Sequence, residues 1–453
     1  MRLNARLTHP FGGLTFEGAP AARISPEQAL RRSVMSCLLW EKEFYEDGAT
    51  IAQRILDLVP QVRPEAVAMI AQDARRVSHL RHVPLFLISA LAKVGGPAAR
   101  PYIAPLIVDV VSRADELAEL LAIHAEVNRV SPAAVKRTIP AQMKHGLARA
   151  FLKFDEYQLA KYNRDTAVKL RDVLFLCHAK PDTAERADLW KRLAAGELKT
   201  PDTWEVALSG GADKKEAFER LIREGKLGYM ALLRNLRNMM AAGCDRALVS
   251  DAIVARKGGA DRVLPFRFVA AARACPELEP AIDTALVAGI AGGPRLPGRT
   301  VVLVDVSGSM DAKLSGKSDM TRLDAAAALA SVVNASSLDV LTFSGRLVRV
   351  PPRRGMAGVD AVRNSQPHGT TELIGAVATV NREVPYDRLI VITDEQAAAD
   401  NRSLPAPRDG ARGYMVNVAS AKNGIGYGRW RHIDGWSDGV IRYIAACEAE
   451  DGR

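Results

Sequence analysis

TVVLVDVSGS, from Thr300 to Ser309, carries two signals back to back. Thr300–Val304 is continuously β-branched or apolar, the pattern of a strand covered on both faces in a parallel sheet. Asp305, Ser307 and Ser309 follow at once, so one carboxylate and two hydroxyls share a tight loop where that strand ends. Ligands in open α/β sheets bind at the carboxyl ends of strands. Downstream, the spacing predicts a helix over Leu323–Val333 and strands at Val340–Phe343 and Arg346–Val350. A helix over Leu373–Asn381, strands at Leu389–Thr393 and Gly413–Val418, and a closing helix over Asp438–Cys447 complete the series. Strands alternating with helices build a doubly wound, Rossmann-like sheet.

Upstream the regime differs. From Ser25 to about Ile290 the chain reads as one helix after another, punctuated by Gly, Pro or Asp. Ser25-Pro26-Glu27-Gln28 is a capping-box start with proline at the first helical position. Thr50 is read as the cap of Ile51–Val59, and Pro64 opens Glu65–Arg76. Further helices are expected over Pro84–Lys93, Pro132–Phe151, Lys161–Leu176, Asp182–Ala195, Lys214–Arg223, Tyr229–Met240 and Leu264–Ala274. Short helices in series without a strict period describe an irregular HEAT-like α-solenoid. The linker Gly292-Gly293-Pro294-Arg295-Leu296-Pro297-Gly298 separates the regimes, giving a helical module over 1–297 and an α/β domain over 298–453.

Charge divides at the same place. Residues 1–300 carry 44 Lys+Arg against 34 Asp+Glu, whereas residues 301–453 carry 18 of each, so the whole excess of +10 lies in the helical part. Arginine supplies 45 of the 62 bases, and its planar fork suits phosphate. That excess fits a polyanion-binding body joined to a neutral module. The five cysteines (Cys37, Cys177, Cys244, Cys275, Cys447) form no CxxC pair, which argues against a zinc site or disulfide framework and for a reducing, cytoplasmic setting. No signal peptide or membrane span is expected.

Two further loops can join Asp305. Gly369-Thr370-Thr371 precedes a helix and Thr393-Asp394-Glu395 ends a strand. Hard oxygen donors of this kind suit Mg²⁺, with Mn²⁺ the alternative. The arrangement resembles the metal-ion-dependent adhesion site (MIDAS) of von Willebrand factor A (vWA) domains. That resemblance implies direct ligation by Asp305, Ser307 and Ser309, with Thr370 and Asp394 contributing from the other loops. The competing reading is that Asp305 and the serines only cap local backbone. A serine hydrolase is excluded by the lack of a G-x-S-x-G pattern and of a nearby histidine.

Several blocks of the chain together resemble the TROVE-module family, bacterial relatives of the Ro autoantigen. They are Leu30–Gly48 (LRRSVMSCLLWEKEFYEDG), Lys161–Arg164 with Lys169–Pro181, Tyr229–Met239 (YMALLRNLRNM), Leu264–Ala271 (LPFRFVAA), Val301–Met310 and Asp434–Ile444 (DGWSDGVIRYI). The resemblance implies a closed ring of HEAT-like helical repeats followed by a vWA domain, with a noncoding Y RNA on the outer face. Single-stranded 3′ ends of misfolded RNAs would pass through the hole, and an exoribonuclease would be tethered. By position it assigns RNA contacts to Lys161, Arg164 and His178; Arg171 and Lys180 are added for proximity and charge. For each base the competing reading is a solvated helix face, and for His178 a hydrogen-bonded structural histidine. His79 and His82 are discounted as a zinc pair, and Trp190 and Trp204 are read as packing residues.

The expectation is a monomeric, cytoplasmic, non-catalytic RNA-binding protein acting in RNA quality control, with no membrane contact. The rivals are a protein-interaction scaffold whose vWA metal captures an acidic partner, and a metal-dependent nuclease built on Asp305.

Overall fold

The computed structural model describes residues 14–15, 20–35, 48–291, 294–314, 319–397, 403–419, 422–435 and 439–451. Two compact units divide the chain: Met1–Gly48, Gly228–Ala241 and Asp245–Arg453 form the first, Ala49–Leu227 and Ala242–Cys244 the second. A division at 297/298 falls inside the first unit. Gly292 and Gly293 of the expected linker, and residues 36–47 of the Leu30–Gly48 block with Cys37 among them, lie outside the described residues.

Helix α1 (Pro26–Met35) belongs to the first unit. Its capping box is present: the Gln28 N–H donates to Ser25 Oγ (3.2 Å) and the Ser25 N–H to Gln28 Oε1 (2.9 Å).

The second unit is helical: α2 (Gly48–Leu58), α3 (Pro64–Arg76), α4 (His82–Val94), α5 (Gly96–Val110), α6 (Asp115–Asn128), α7 (Ala141–Phe151), α8 (Glu156–Tyr162), α9 (Leu170–Cys177), α10 (Ala184–Ala195), α11 (Trp204–Ser209) and α12 (Lys214–Arg223). Helix α4 is the hub, packed against α3, α5 and α6, and α9 leans on α6 and α7. Leu85, Leu87, Ile88, Leu117, Leu120 and Leu121 are fully buried there. Trp190 meets Phe151 edge-on (centroids 5.9 Å) and Trp204 stacks on Phe218 (6.3 Å), so both are packing residues. Some sequence expectations need correction. Thr50 lies inside α2 and does not cap it. The single helix expected over Pro132–Phe151 is a 3-10 turn (Pro132–Arg137) and then α7, because Pro140 cannot donate into a continuing helix. The helix expected over Lys161–Leu176 is α8 and α9, with Asp155 starting α8 through a capping box with Gln158. Helix α5 was hidden by Pro101 and Pro105 within it.

The first unit continues with α13 (Tyr229–Ala241), α14 (Arg246–Ala255), α15 (Pro265–Ala274) and α16 (Glu279–Ala291). Then come β1 (Leu296–Asp305), α17 (Arg322–Ser331), β2 (Ala335–Phe343), β3 (Leu347–Val350), α18 (Gly355–Arg363), α19 (Leu373–Glu383), β4 (Arg388–Thr393), β5 (Arg412–Asn417), β6 (Trp430–Asp434) and α20 (Gly439–Asp451). The sheet order is β3-β2-β1-β4-β5-β6, parallel except for the β2–β3 hairpin. Leu296–Gly298, read as linker, already belongs to β1, with a register irregularity between Leu296 and Arg299. Strand β6 was not anticipated.

The residues of β1 and β4 are buried where the strands adjoin, as their apolar runs require. Val301, Leu303, Leu389 and Val391 meet Leu373, Val377 and Val380 of α19. At the other end of the strands Arg388 is tied to Glu448 of α20, with Nε donating at 2.6 Å, and to Thr300 Oγ1 at 2.7 Å. Helix α15 packs on α17, where the fully buried Asp324 takes both ends of the Arg273 fork (2.7 Å each) and a further bond from Arg363. Among the described residues no helix is long and apolar enough to cross a membrane.

Candidate functional site

Strand order places the oxygen donors. β1 and β4 are neighbours from which the chain winds in opposite directions, so the loops leaving them open a crevice at the switch point. Asp305 ends β1 and is fully buried; its Oδ1 accepts the Ser307 N–H (2.9 Å) and its Oδ2 the Thr393 hydroxyl (2.7 Å). The Ser307 and Ser309 hydroxyl oxygens lie 3.2 Å apart. The second loop is laced to the first: the Gly308 N–H donates to Gly369 O (2.9 Å). Ser344, just past β2, accepts from the Gly369 N–H (2.7 Å) and donates to Thr370 O (3.1 Å). Thr370 itself is exposed. Asp394 follows β4, is fully buried, and accepts the Gln396 N–H at 3.3 Å.

Burial holds the Asp305 carboxyl above its ordinary range, and the charge of Asp394 pushes it the same way against the Ser307 and Thr393 hydrogen bonds. Two buried carboxylates in electrostatic contact, with two hydroxyls at the same loop, fit a hard divalent cation. Sequence reasoning quoted Thr393 without giving it a role and missed two other neighbours, Ser344 and Arg322. Thr393 orients Asp305; Ser344 fixes the Thr370 loop; and the Arg322 guanidinium lies 3.8 Å from Asp394 Oδ2, placing a cation beside the same carboxylate.

Next to Asp394, Glu395 is fully buried with φ 58°, a left-handed conformation rare for a side-chain-bearing residue. Its carboxylate accepts from Arg32 of α1 (2.8 Å) and pairs with His432 of β6. His432 also faces Asp434 (Nδ1 to Oδ2, 3.3 Å) and stacks on Tyr427 (centroids 4.2 Å). A Cβ at Gly424 would stand 1.9 Å from Glu395 Oε2 and 2.6 Å from the Arg32 guanidinium, so any side chain there would have to displace this pair. Burial alone would raise Glu395, but His432 and Arg32 overrule it and hold it at about 2. Burial alone would lower His432, but Asp434 and Glu395 hold it up at about 9. Nothing in the local pattern around Arg32 marks it as buried.

The expected RNA contacts lie in the second unit, on α8, α9 and the segments after them. The Lys161 ammonium sits 5.7 Å from the ring centroids of both Tyr157 and Tyr162, and Arg113 lies 4.5 Å over Tyr162. Arg164 is exposed in the loop that follows α8. Arg171 is exposed on α9, His178 is its exposed left-handed C-cap (φ 51°), and Lys180 is exposed just beyond. His82, discounted as a zinc ligand, lies 3.7 Å from Glu119 within a network joining Arg75, Arg81 and Arg113 to Asp115, Glu116 and Glu119. Among the described residues no group of three His, Cys, Asp or Glu side chains is arranged to hold a metal. The Asp305 site draws instead on hydroxyls.

The TROVE domain family matches residues 25–195 and 182–285. Telomerase protein component 1 of Mus musculus is 25% identical over 310 residues, which covers 50% of this chain and 12% of that protein. The Rattus norvegicus protein of that name is 25% identical over 334 residues, 54% of this chain and 12% of that one. The chain thus spans about an eighth of the length of these curated relatives. Among solved structures, the Ro (Rsr) protein of Deinococcus radiodurans aligns with a TM-score of 0.60 at 18% identity, over 94% of this chain and 100% of that one. The likeness is one of fold: a helical module followed by a vWA-like α/β domain.

Proposed function

Because the chain belongs to the TROVE domain family, an RNA-binding family, we propose that it is the non-catalytic protein of a ribonucleoprotein that binds noncoding, Y-type RNA and single-stranded 3′ ends of misfolded RNAs. Its role is RNA quality control in the cytoplasm, as a monomer that tethers an exoribonuclease. The observation that carries this reading is the coincidence of the family match, residues 25–285, with the part of the chain holding all of the positive excess. Arg164, Arg171, His178 and Lys180 stand in solvent along α8, α9 and their connections, where a phosphate backbone can reach them. Such contacts grip RNA without reading its sequence.

Titrating single-stranded and duplex RNA of one sequence against salt tests it. Tight binding of the single strand, falling steeply with salt, is expected; no binding at low salt would refute the reading and favour the scaffold. Replacing Arg164, Arg171 and Lys180 by alanine together reduces the slope of log affinity against log salt by about two to three.

The metal site is part of the same proposal. Asp305, Ser307 and Ser309 would hold, with help from Thr370 and Asp394, Mg²⁺ or Mn²⁺, which would supply a Lewis-acidic contact for an anionic oxygen. The chain's own residues do the positioning: Thr393 and the Ser307 N–H orient Asp305, and Ser344 sets the Thr370 loop. RNA incubated with the protein and Mg²⁺ should stay intact; cleavage abolished by Asp305→Ala would instead establish a nuclease.

A further inference from the structure

Helix α9 buries Leu170, Val173, Leu174 and Cys177 and turns the opposite face to solvent. On that face Arg171 and Phe175 are four residues apart, one helical turn, and His178 follows at the C-cap. Phe175 is 62% exposed, the most exposed of the large apolar side chains that reach solvent among the described residues. A ring left in water forgoes the burial that drives folding, and this one borders a cleft, which gives a flat ligand somewhere to sit. The ring stands at a cleft of about 410 Å³ lined by Pro132, Val135, Lys136, Val168 and Leu176, with Asp172 the carboxylate on its wall. Asp172 is already engaged, accepting the Lys169 N–H (3.0 Å) and lying 3.9 Å from Arg171 Nε.

We propose that Phe175 and this cleft seat an unpaired nucleobase of bound RNA, the ring acting as the stacking face. The inference deepens the RNA-binding reading and rests on it. Charge selects the occupant: Lys136 lines the cleft itself, and Arg171 on α9, His178 at its C-cap and Lys180 just beyond are exposed on the same stretch of chain, all donors for phosphate. An apolar peptide has no use for that cationic frame, whereas a nucleotide presents a π-face and a phosphate together. Stacking is indifferent to base identity, in keeping with non-specific capture of single strands.

The test uses the whole protein and a short unstructured RNA carrying a fluorescent aminopurine, whose emission is quenched by stacking. Wild type should bind with quenching. Phe175→Ala should lose the quenching and bind about tenfold more weakly, whereas Phe175→Tyr should keep both. The slope against salt should be equal in all three, since no phosphate contact is removed. Phe175→Leu keeps an apolar side chain without the ring and should behave as Phe175→Ala; wild-type affinity in this variant would show that the cleft takes apolar groups, a protein segment among them, and would overturn the proposal. So would unchanged affinity and quenching in Phe175→Ala. Because Phe175 is outside the core, the melting curves of the variants should match wild type. Failure of wild type to bind the RNA at low salt would instead defeat the underlying RNA reading.

Discussion

Asp305 and Asp394 are 89 positions apart in sequence yet electrostatically coupled in the buried crevice. Without a cation, the charge of Asp394 disfavours the charged form of Asp305. Asp305→Asn should therefore leave the metal-free protein as stable as wild type or more so, and should abolish the rise in Tm that wild type shows on adding Mg²⁺. Thermal melts with and without the ion decide this; an equal Mg²⁺ increment in both proteins would remove Asp305 from the site. RNA affinity should be unchanged by the substitution. That Asp305, Ser307 and Ser309 share one loop at the end of a strand was legible because a strand-terminal spacing fixes them locally. Ser344, Arg322 and the part Thr393 plays in orienting Asp305 were not, because each reaches the site from another element, and no local pattern announces that.

Element docking turns on buried charge. Helix α1 is held to the loop after β4 and to β6 through Arg32, Glu395 and His432. Removing one member of a buried pair strands the other, so Arg32→Ala should cost about 3–5 kcal/mol, measured by denaturant unfolding. A loss below about 1 kcal/mol would mean that α1 is only loosely seated. His432 has a folded pKa of about 9 against an ordinary 6.5, so its stabilising charge is fully present below 6.5 and is lost as pH rises through about 9. The fall in Tm between pH 6.5 and 9 should accordingly flatten in His432→Gln. A parallel tie joins α15 to α17. Asp324 is pushed up by burial, but hydrogen bonds from Arg273 and the Thr321 N–H, with the Arg273 and Arg363 charges, hold it below the usual carboxylate range. Its contribution is present above the ordinary aspartate pKa and disappears as pH falls through the lowered value. Most helices and strands of this unit were legible from period and punctuation, but β6, with a mixed apolar and polar sequence, was not.

At the scale of the whole molecule, the regimes of composition and the compact units divide the chain differently. The excess charge changes near residue 300, whereas α13–α16 and α1 belong to the same unit as the sheet. A fragment of residues 298–453 therefore loses Arg32 from Glu395 and Arg273 from Asp324, leaving the buried Glu395 without its guanidinium partner and the buried Asp324 with Arg363 but without the Arg273 fork. It should be markedly less stable by circular dichroism than the intact chain; a cooperative, native-like melt from the fragment alone would show that these ties are dispensable.

The sequence by itself determined the two kinds of architecture, the sheet's buried strands and the acidic and hydroxyl loop at Asp305, because hydrophobic period and turn chemistry act between near neighbours. Tertiary structure decided which distant residues meet: Arg32 with Glu395, Arg273 with Asp324, Thr393 with Asp305, and the cleft beneath Phe175. Those meetings depend on strand order and helix packing, where charges are taken out of water only if a partner arrives from elsewhere in the chain.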